Sequence, residues 1–195
     1  MLHRFADIHT HLEGQPNSIL SVPAEGVERI VLRNAALPSA IRQCYSLQLH
    51  PWHVKAETDI DAFRQMAQQL KDDPQMVAIG ECGLDAQCDT SPVLQRQAFR
   101  TALRTARELR KPVIVHCVRL WAEMIHDVHL VFPELKTQPE AWREWPIIVH
   151  GYRKGTQLAQ QLLDAGLSLS LGKKYNPDVA KMLPTERCYA ESDEE

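Results

Sequence analysis

The residues best suited to chemistry begin near the start of the chain, in the segment DIHTH. His9 and His11 follow a short apolar run and stand two positions apart. Residues i and i+2 of a β-strand point to the same side, so both imidazoles would project from one face, with Asp7 beside them. Two imidazoles on one rigid strand form half of a metal site. A pair of polar residues at a strand end is the alternative, because so short a motif also arises by chance.

Similar residues recur where later apolar runs end. The segment LHPWH contains His50 and His53, and GECGLD contains Glu81 and Asp85. Three further candidates follow apolar runs nearer the C-terminus: His116, His150 and Asp193. Of the nine histidines, three fall elsewhere, namely His3, His126 and His129, and the last two are predicted to lie on a solvated helix face. Scattered polar residues would not collect at strand ends in this way, so the pattern predicts one shared site.

The elements that would position these residues alternate along the chain. Eight apolar runs have the length of buried strands: 5–9, 29–32, 45–49, 76–80, 112–116, 147–150, 167–171 and 187–190. Most intervals between them are predicted as helices: 58–73 with Thr58 as the cap, 91–109 with Pro92 in its first turn, 156–165 before Gly166, and a short helix from Asn176.

Strands alternating with helices, each strand apolar enough to be buried on both faces, predict an α/β fold with a parallel sheet. We expect a single-domain (β/α)8 TIM-type barrel over 1–195, because no Gly-rich phosphate-binding segment follows the first strand to support a doubly wound open sheet. The barrel would be reduced. The intervals after the first two strands look too short for full helices, and the helix after the eighth strand is expected to be lacking.

Composition limits the classes of function. The chain has 195 residues, 44% of them hydrophobic, and a net charge of −3, which argues against a protein that coats duplex DNA electrostatically. No signal segment or membrane-spanning run is predicted. The five cysteines form no CxxC pair and are interpreted as reduced thiols of a cytoplasmic protein.

In these motifs the sequence resembles the TatD-type metal-dependent deoxyribonucleases of the amidohydrolase-like barrels. The resemblance runs in order through DIHTH, LHPWH, GECGLD, KPVIVHC, IIVHGYRKG and ESD, which covers nearly the whole chain. The combination of GECGLD with PVIVH some thirty residues later is its most specific part, whereas DIHTH is common to many metallohydrolases.

The resemblance implies two divalent metal ions held by six residues: His9, His11, Glu81, His116, His150 and Asp193. Glu81 would bridge the two ions, and Asp193 would orient and deprotonate the attacking water as general base. Zn, Mn and Mg are the candidate ions, and imidazole-rich ligation suits Zn, Mn or Fe-type ions better than Mg alone.

Independently of the resemblance, cations follow three successive predicted strands on the same side. They are Arg119, the pair Arg153 and Lys154, and the pair Lys173 and Lys174. Beside them or on the same side lie Trp52, Tyr152 and Tyr175. A cationic, aromatic rim favours an anionic substrate such as a nucleic acid, although lysine and arginine in surface loops are ordinary.

The sequence leaves the roles of His50 and Asp85 open between two interpretations. His50 would either contact substrate or support a metal ligand, or else it would be a hydrogen-bonded imidazole in a turn. Asp85 would either orient a ligand or cap the following helix. We name His50, Arg119, Arg153 and Lys154 as the candidate substrate-binding residues.

The sequence therefore predicts a metal-dependent hydrolase of phosphodiester bonds, similar to a TatD-like deoxyribonuclease that trims 3′ ends, with nucleic acid or another phosphodiester as substrate. One alternative is a phosphoesterase of the polymerase-and-histidinol-phosphatase type. The other is a non-catalytic metal-binding interaction protein. An uncovered eighth strand would also predict self-association into a homo-oligomer.

Overall fold

The computed structural model of the protein describes residues 2–193 and contains one eight-stranded sheet with the strands in chain order. Each strand pairs in parallel with the next. The strands are β1 (Asp7–Thr10), β2 (Ser18–Pro23), β3 (Cys44–Leu49), β4 (Met76–Asp85), β5 (Val113–Val118), β6 (Ile147–Val149), β7 (Ser168–Leu171) and β8 (Cys188–Ala190). The predicted α/β barrel is confirmed.

Eight α-helices accompany the described strands: α1 (Val27–Ala35), α2 (Glu57–Gln69), α3 (Pro92–Leu109), α4 (Trp121–Val131), α5 (Glu134–Thr137), α6 (Ala141–Glu144), α7 (Thr156–Asp164) and α8 (Pro177–Met182). The predicted start of α3 is confirmed, since Pro92 is its first residue and Ser91 Oγ accepts the backbone N–H of Leu94. The predicted cap of α2 is wrong. Asp59, rather than Thr58, accepts backbone N–H groups before that helix. None of the described helices is long and apolar enough to cross a membrane.

The second strand was placed wrongly by the sequence pattern. Residues 29–32 lie inside α1, where Val27, Ile30 and Asn34 are buried at helical spacing while Leu32 is 72% exposed. The true second strand is β2, whose apolar run is short and interrupted by Ser21. The interval after β2 therefore holds a helix, contrary to the expectation, whereas 11–17 between β1 and β2 holds none.

Apolar residues fill the barrel interior beneath the strand ends. A compact cluster combines side chains from six strands and the N-terminal turn: Leu2, Ile8, Ile19, Val77, Ala78, Ile114, Ile148 and Tyr189. Two residues further along their strands, on the same side, Ile114 and Ile148 are followed by His116 and His150. The barrel thus provides an apolar floor with imidazoles above it, at the carboxyl ends of the strands.

Two glycines let strands β4 and β5 approach each other beside this layer. A Cβ atom on Gly80 would lie 2.3 Å from the carbonyl oxygen of Ile114, and one on Gly83 would lie 1.9 Å from that of His116. Both glycines also have positive φ. The GECG segment therefore carries its glutamate on backbone that only glycine neighbours allow to sit so close to β5.

Candidate metal centre

Glu81 lies in the middle of the cluster of polar side chains at the carboxyl ends of the strands. It is buried, with 4% of its surface exposed. Its Oε1 atom lies 2.7 Å from His150 Nε2, 2.8 Å from His116 Nδ1 and 3.2 Å from His50 Nε2. One carboxylate oxygen thus faces three imidazoles from three different strand ends.

The second oxygen of Glu81 faces the histidines of DIHTH. Oε2 lies 3.4 Å from His9 Nε2 and 3.9 Å from His11 Nε2. Asp193 approaches from the last segment of the chain, with its Oδ1 atom 3.6 Å from His9 Nε2. Glu81 therefore separates two sets of potential ligands, as a bridging carboxylate would. We call this cluster the candidate centre: His9, His11, His50, Glu81, His116, His150 and Asp193.

Some ring nitrogens of the candidate centre have no hydrogen-bond partner within residues 2–193 and are therefore available as metal ligands. Both ring nitrogens of His9 and Nδ1 of His150 are buried without a hydrogen-bond partner among the described residues. Buried polar atoms are nearly always paired, so such orphans call for an explanation. Four overlapping triplets of histidines and carboxylates have their ligand atoms within 4.8 Å of one another. These residues fit divalent metal ions as ligands.

The charges of the candidate centre also favour the binding of metal ions. Burial disfavours the charged form of Glu81, but the neighbouring imidazoles of His150, His116 and His50 outweigh it and hold the pKa of Glu81 well below its ordinary value. Burial also lowers the pKa of His150, yet the carboxylates of Glu81, Glu191 and Asp193 prevail and raise it to about 9. Ionised carboxylates in this buried place attract positive charge, which metal ions would supply.

His50 acts in this structure as a support for Glu81. Its Nδ1 atom accepts the backbone N–H of Trp52 at 3.2 Å, so its proton is on Nε2 and is directed at Glu81 Oε1. Burial lowers the pKa of His50 and so favours this neutral form. Of the interpretations left open by the sequence, the geometry favours the supporting role.

A carboxylate and an indole stand behind His116. His116 Nε2 lies 3.0 Å from Asp85 Oδ2, and the same oxygen accepts a hydrogen bond from Trp52 Nε1 at 2.7 Å. The His116 ring is thereby oriented with Nε2 towards the Asp85 carboxylate behind it and Nδ1 towards Glu81. Asp85 caps no helix here. Its second oxygen accepts the N–H of Gln87 within the loop.

Glu191 stands in a similar position behind His150, although it was not among the site residues predicted from the sequence. Its side chain is fully buried, with Oε1 at 3.8 Å from His150 Nδ1. Oε1 accepts the N–H of Gly151 and Oε2 accepts the hydroxyl of Ser170, both at 2.5 Å. The period of two along the segment from Glu191 to Asp193 was the available signal, since it puts both carboxylates on one side.

The candidate substrate-binding cations divide into two groups. Arg153 and Lys154 line a cavity of about 230 Å³ together with His116, His150 and Asp193, and Arg153 Nη2 lies 3.5 Å from Asp193 Oδ2. Arg119 is exposed outside that cavity, in the left-handed region with φ 64°. Lys173 and Lys174 are likewise exposed outside it.

Other polar residues of the sequence analysis lie apart from the ligands. His53 is exposed in the loop after β3, at the edge of the site. His126 is exposed on α4, but His129 is half-buried and its Nε2 lies 2.8 Å from the carbonyl oxygen of Ala165, so the prediction of a solvated face holds only for His126. Asp7 does not join the ligands, because its carboxylate is bonded to Ser192.

An eight-stranded parallel barrel with histidines and carboxylates gathered at its carboxyl end defines a barrel of the metal-dependent hydrolase class. The chain belongs to the family described as TatD related DNase, whose sequence model matches residues 6–194. The resemblance seen in the motifs is thereby confirmed, and the family supports a metal-dependent hydrolase acting on phosphodiester bonds.

Individual relatives agree with this assignment. An uncharacterized metal-dependent hydrolase of Bacillus subtilis, YabD, is 25% identical over 96% of this chain and 78% of its own length. The 3′-5′ ssDNA/RNA exonuclease TatD of Cronobacter turicensis is 30% identical over 76% of this chain and 56% of its own. The chain thus spans about half the length of the exonucleases that it matches.

Solved structures show the same fold. A TatD homologue of Escherichia coli K12, YJJV, superposes with a TM-score of 0.73 at 22% identity, covering 99% of this chain and 80% of that one. A TatD family hydrolase of Entamoeba histolytica superposes with a TM-score of 0.74 at 18% identity, covering 97% and 73% respectively.

Proposed function

We propose that this protein is a divalent-metal-dependent nuclease that removes nucleotides from the 3′ ends of single-stranded nucleic acid. The observation that carries the proposal is the position of Glu81 between two sets of imidazoles, several of whose nitrogens lack partners. The exonuclease relatives suggest the substrate, and the family suggests the reaction. We take the whole chain, 1–195, as one hydrolase domain.

The residues of the candidate centre would have different roles in the reaction. When bound, two divalent ions would make a water acidic enough to ionise near neutral pH and would stabilise charge on the phosphodiester oxygens. His9, His11 and Asp193 would hold one ion, His116 and His150 the other, and Glu81 both. Asp193 would also orient the water and take its proton on a carboxylate oxygen.

Residues around the proposed ligands would position Glu81 and attract the substrate. His50 would fix the rotamer of Glu81 through its Nε2 proton. Arg153 and Lys154 would attract the nucleic-acid backbone from their side of the site, where they line a cavity with Asp193. Arg119, exposed further out, would add to this attraction. Zn, Mn and Mg remain the proposed ions, with Zn and Mn preferred for imidazole-rich ligation.

Two further proposals concern the cellular location of the protein and its self-association. All five cysteines are free thiols in the structure, which suits a cytoplasmic protein. Self-association through β8 also stays a proposal. Ala190 on that strand is exposed, whereas Tyr189 is buried and stacks against His3.

A nuclease time course tests the proposed function. Metal-stripped protein is given Mg²⁺, Mn²⁺ or Zn²⁺ with a 5′-labelled single-stranded oligonucleotide, and Asp193→Asn is run in parallel. Asn is a suitable control because Asp193 has φ 49°, a conformation that asparagine adopts readily. We expect a metal-dependent ladder that shortens from the 3′ end in the wild type, with cleavage at least 100-fold slower in the variant.

Two other outcomes would favour the alternatives. Binding of metal without cleavage by any ion would contradict the proposal and favour a metal-binding interaction protein. Release of phosphate from p-nitrophenyl phosphate, with the oligonucleotide left intact, would favour a monophosphatase such as the polymerase-and-histidinol-phosphatase type.

A further inference from the structure

We propose that Trp52 is the platform on which the nucleobase next to the scissile phosphate stacks. The inference rests on the proposed function and deepens it, because a stacked end base must be unpaired. The preferred substrate would then be a single strand or a frayed end, selected by this chain's own indole.

Trp52 is exposed beside the candidate centre. It lies in the turn after β3 and has 53% of its surface open to solvent. It lines a cavity of about 260 Å³ whose wall also contains His50, Glu81 and His116 of the candidate centre. An exposed aromatic ring in the wall of a cavity beside the ligands offers a flat apolar surface on which a bound base can stack.

The indole is held in place by a buried carboxylate. Its Nε1 donates to Asp85 Oδ2 at 2.7 Å, and Asp85 is 1% exposed. At the other end of the residue, the backbone N–H of Trp52 donates to His50 Nδ1. The rings of Trp52 and His50 meet edge to face, with centroids 5.5 Å apart at 83°. A ring fixed in this way loses little conformational entropy when a ligand stacks on it.

The surroundings of the candidate centre suggest how a nucleotide would lie. The Trp52 cavity and the cavity lined by Arg153 and Lys154 share His116, His150 and Asp193. The aromatic group and the cations therefore approach the ligands from different sides. A phosphate at the ligands would leave its base on the Trp52 side and its neighbouring phosphates on the cationic side.

Other exposed aromatic residues fit this role less well. Tyr175 has a similar exposure, 48%, but it lies in the loop between β7 and α8 and lines neither of these two cavities. The sequence placed Tyr175 on the same rim as Trp52, but the structure places it outside both cavities. Its substitution therefore removes an exposed aromatic ring without touching the Trp52 site and serves as a matched control.

A binding cycle tests the proposal. Mn²⁺-loaded full-length protein is titrated with a hexathymidylate whose 3′-terminal linkage is a phosphorothioate, and with the same oligomer carrying an abasic 3′ nucleotide. We expect Trp52→Ala to weaken binding of the intact oligomer by about 5- to 150-fold, the range for stacking of one base on an aromatic ring. Removing the terminal base should weaken wild-type binding similarly, yet have little further effect in Trp52→Ala.

Two further variants keep the result interpretable. Trp52→Phe keeps a ring but loses the hydrogen bond to Asp85, so it should recover most of the affinity lost in Trp52→Ala. Tyr175→Ala should bind like the wild type. The Mn²⁺ affinity of each variant, measured without oligonucleotide, reports whether the candidate centre has been disturbed.

Two results would overturn the proposal. One is an equal penalty for the abasic end in wild type and Trp52→Ala, and the other is unchanged binding by Trp52→Ala. If the wild type binds the oligomer but cleaves no unmodified strand, the proposed nuclease activity fails while stacking is still measured. If it neither binds nor cleaves, both proposals fail.

Discussion

At the scale of single residues, the buried charge behind His150 distinguishes this candidate centre from a mere cluster of polar groups. Glu191 has its carboxylate 3.8 Å from His150 Nδ1, too far for a hydrogen bond but close enough to act on the ring by its charge. It is fixed there by Gly151 and Ser170. A negative charge behind a metal-binding imidazole strengthens the imidazole as a ligand.

We therefore expect Glu191→Gln to weaken metal binding by about tenfold, at the low end of the range for such outer partners. The glutamine can still accept from Gly151 and donate to the Ser170 hydroxyl, so the fold should survive. Titration of metal-stripped protein with Mn²⁺ against a chelating dye measures the effect. Ser170→Ala, which keeps the carboxylate, is the matched control and should bind nearly as tightly as wild type. Equal affinities in Glu191→Gln and wild type would contradict the assigned role.

The residues that could be found from the sequence are those that end strands. His9, His11, Glu81, His116 and His150 were found because a parallel barrel brings the carboxyl ends of its strands together, whatever the details of packing. Partners behind these residues depend on packing that no local pattern encodes. Asp85 was left with two interpretations, and its link to both His116 and Trp52 depends on how the loops after β3 and β4 meet.

At the scale of elements, a buried ion cluster joins α3 to α4. Asp127 on α4 has a fully buried side chain and accepts hydrogen bonds from Arg96 and Arg100, which stand one turn apart on α3. Burial raises the pKa of Asp127, but the two guanidinium groups outweigh it and hold the pKa below its ordinary value. The carboxylate is thus the shared acceptor between two neighbouring helices.

We expect Asp127→Asn to lower the free energy of unfolding by about 3 kcal/mol at pH 7, because it leaves two cations without their anion. The value lies at the low end for such losses, since each arginine side chain is about one-third exposed and water can reach it. Urea unfolding followed by circular dichroism measures the difference. Asp61→Asn is the control, because the Asp61–Arg64 pair is exposed and should contribute well under 1 kcal/mol.

The same pair of proteins gives a pH dependence of known sign. A folded pKa below the unfolded one means that the stabilisation is complete above the unfolded pKa, about 4, and is lost as the pH falls through the folded value. The difference between wild type and Asp127→Asn should therefore shrink in acid, where protonated Asp127 resembles asparagine. A difference that stayed constant from pH 7 down to pH 3 would show that the effect is not electrostatic.

The prediction of strands and helices from the sequence failed where an apolar run was too short to show its period. The run that was predicted as the second strand has too few residues to separate a period of two from one of 3.6, and its buried face is helical, as Ile30 and Asn34 show. The six residues of β2 include two serines and a proline, so in the sequence they resemble a loop. Long helices such as α3 were predictable because many turns repeat the same pattern.

At the scale of the whole molecule, the barrel closes through a few bonds from the segment after β8 to β1, which involve both side chains and backbone, rather than through a regular strand ladder. Within residues 2–193, β1 and β8 lie at the two ends of the strand order. Ser192 donates its backbone N–H and its hydroxyl to the Asp7 carboxylate, at 3.1 and 2.5 Å. Asp193 then donates its N–H to the carbonyl oxygen of His9 at 3.1 Å. The closure of the barrel and the position of the proposed general base thus depend on the same few bonds.

We expect Asp7→Ala to detach the segment after β8 from β1 and, as a consequence, to weaken metal binding at the candidate centre. Three hydrogen bonds to the carboxylate are lost, from the backbone N–H and the hydroxyl of Ser192 and from the backbone N–H of His9, so the free energy of unfolding should fall by about 2–3 kcal/mol. Amide hydrogen exchange at Ser192 and Asp193 should accelerate more than exchange in α3, because opening would be local to the last segment. Mn²⁺ affinity should fall as well, since Asp193 would no longer be held near His9.

Ser192→Ala gives a graded comparison for this closure. It removes the hydroxyl bonds but keeps the backbone N–H to Asp7, so its effects on exchange and on Mn²⁺ affinity should lie between those of wild type and Asp7→Ala. Glu13→Gln, which alters an exposed ion pair with Arg29 and Arg33, should leave both measurements unchanged. Fast exchange at Ser192 in the wild type itself would contradict the closure. If Asp7→Ala bound Mn²⁺ as tightly as wild type, the ligands would not depend on the closure, and Asp193 would have to be held by Arg153 instead.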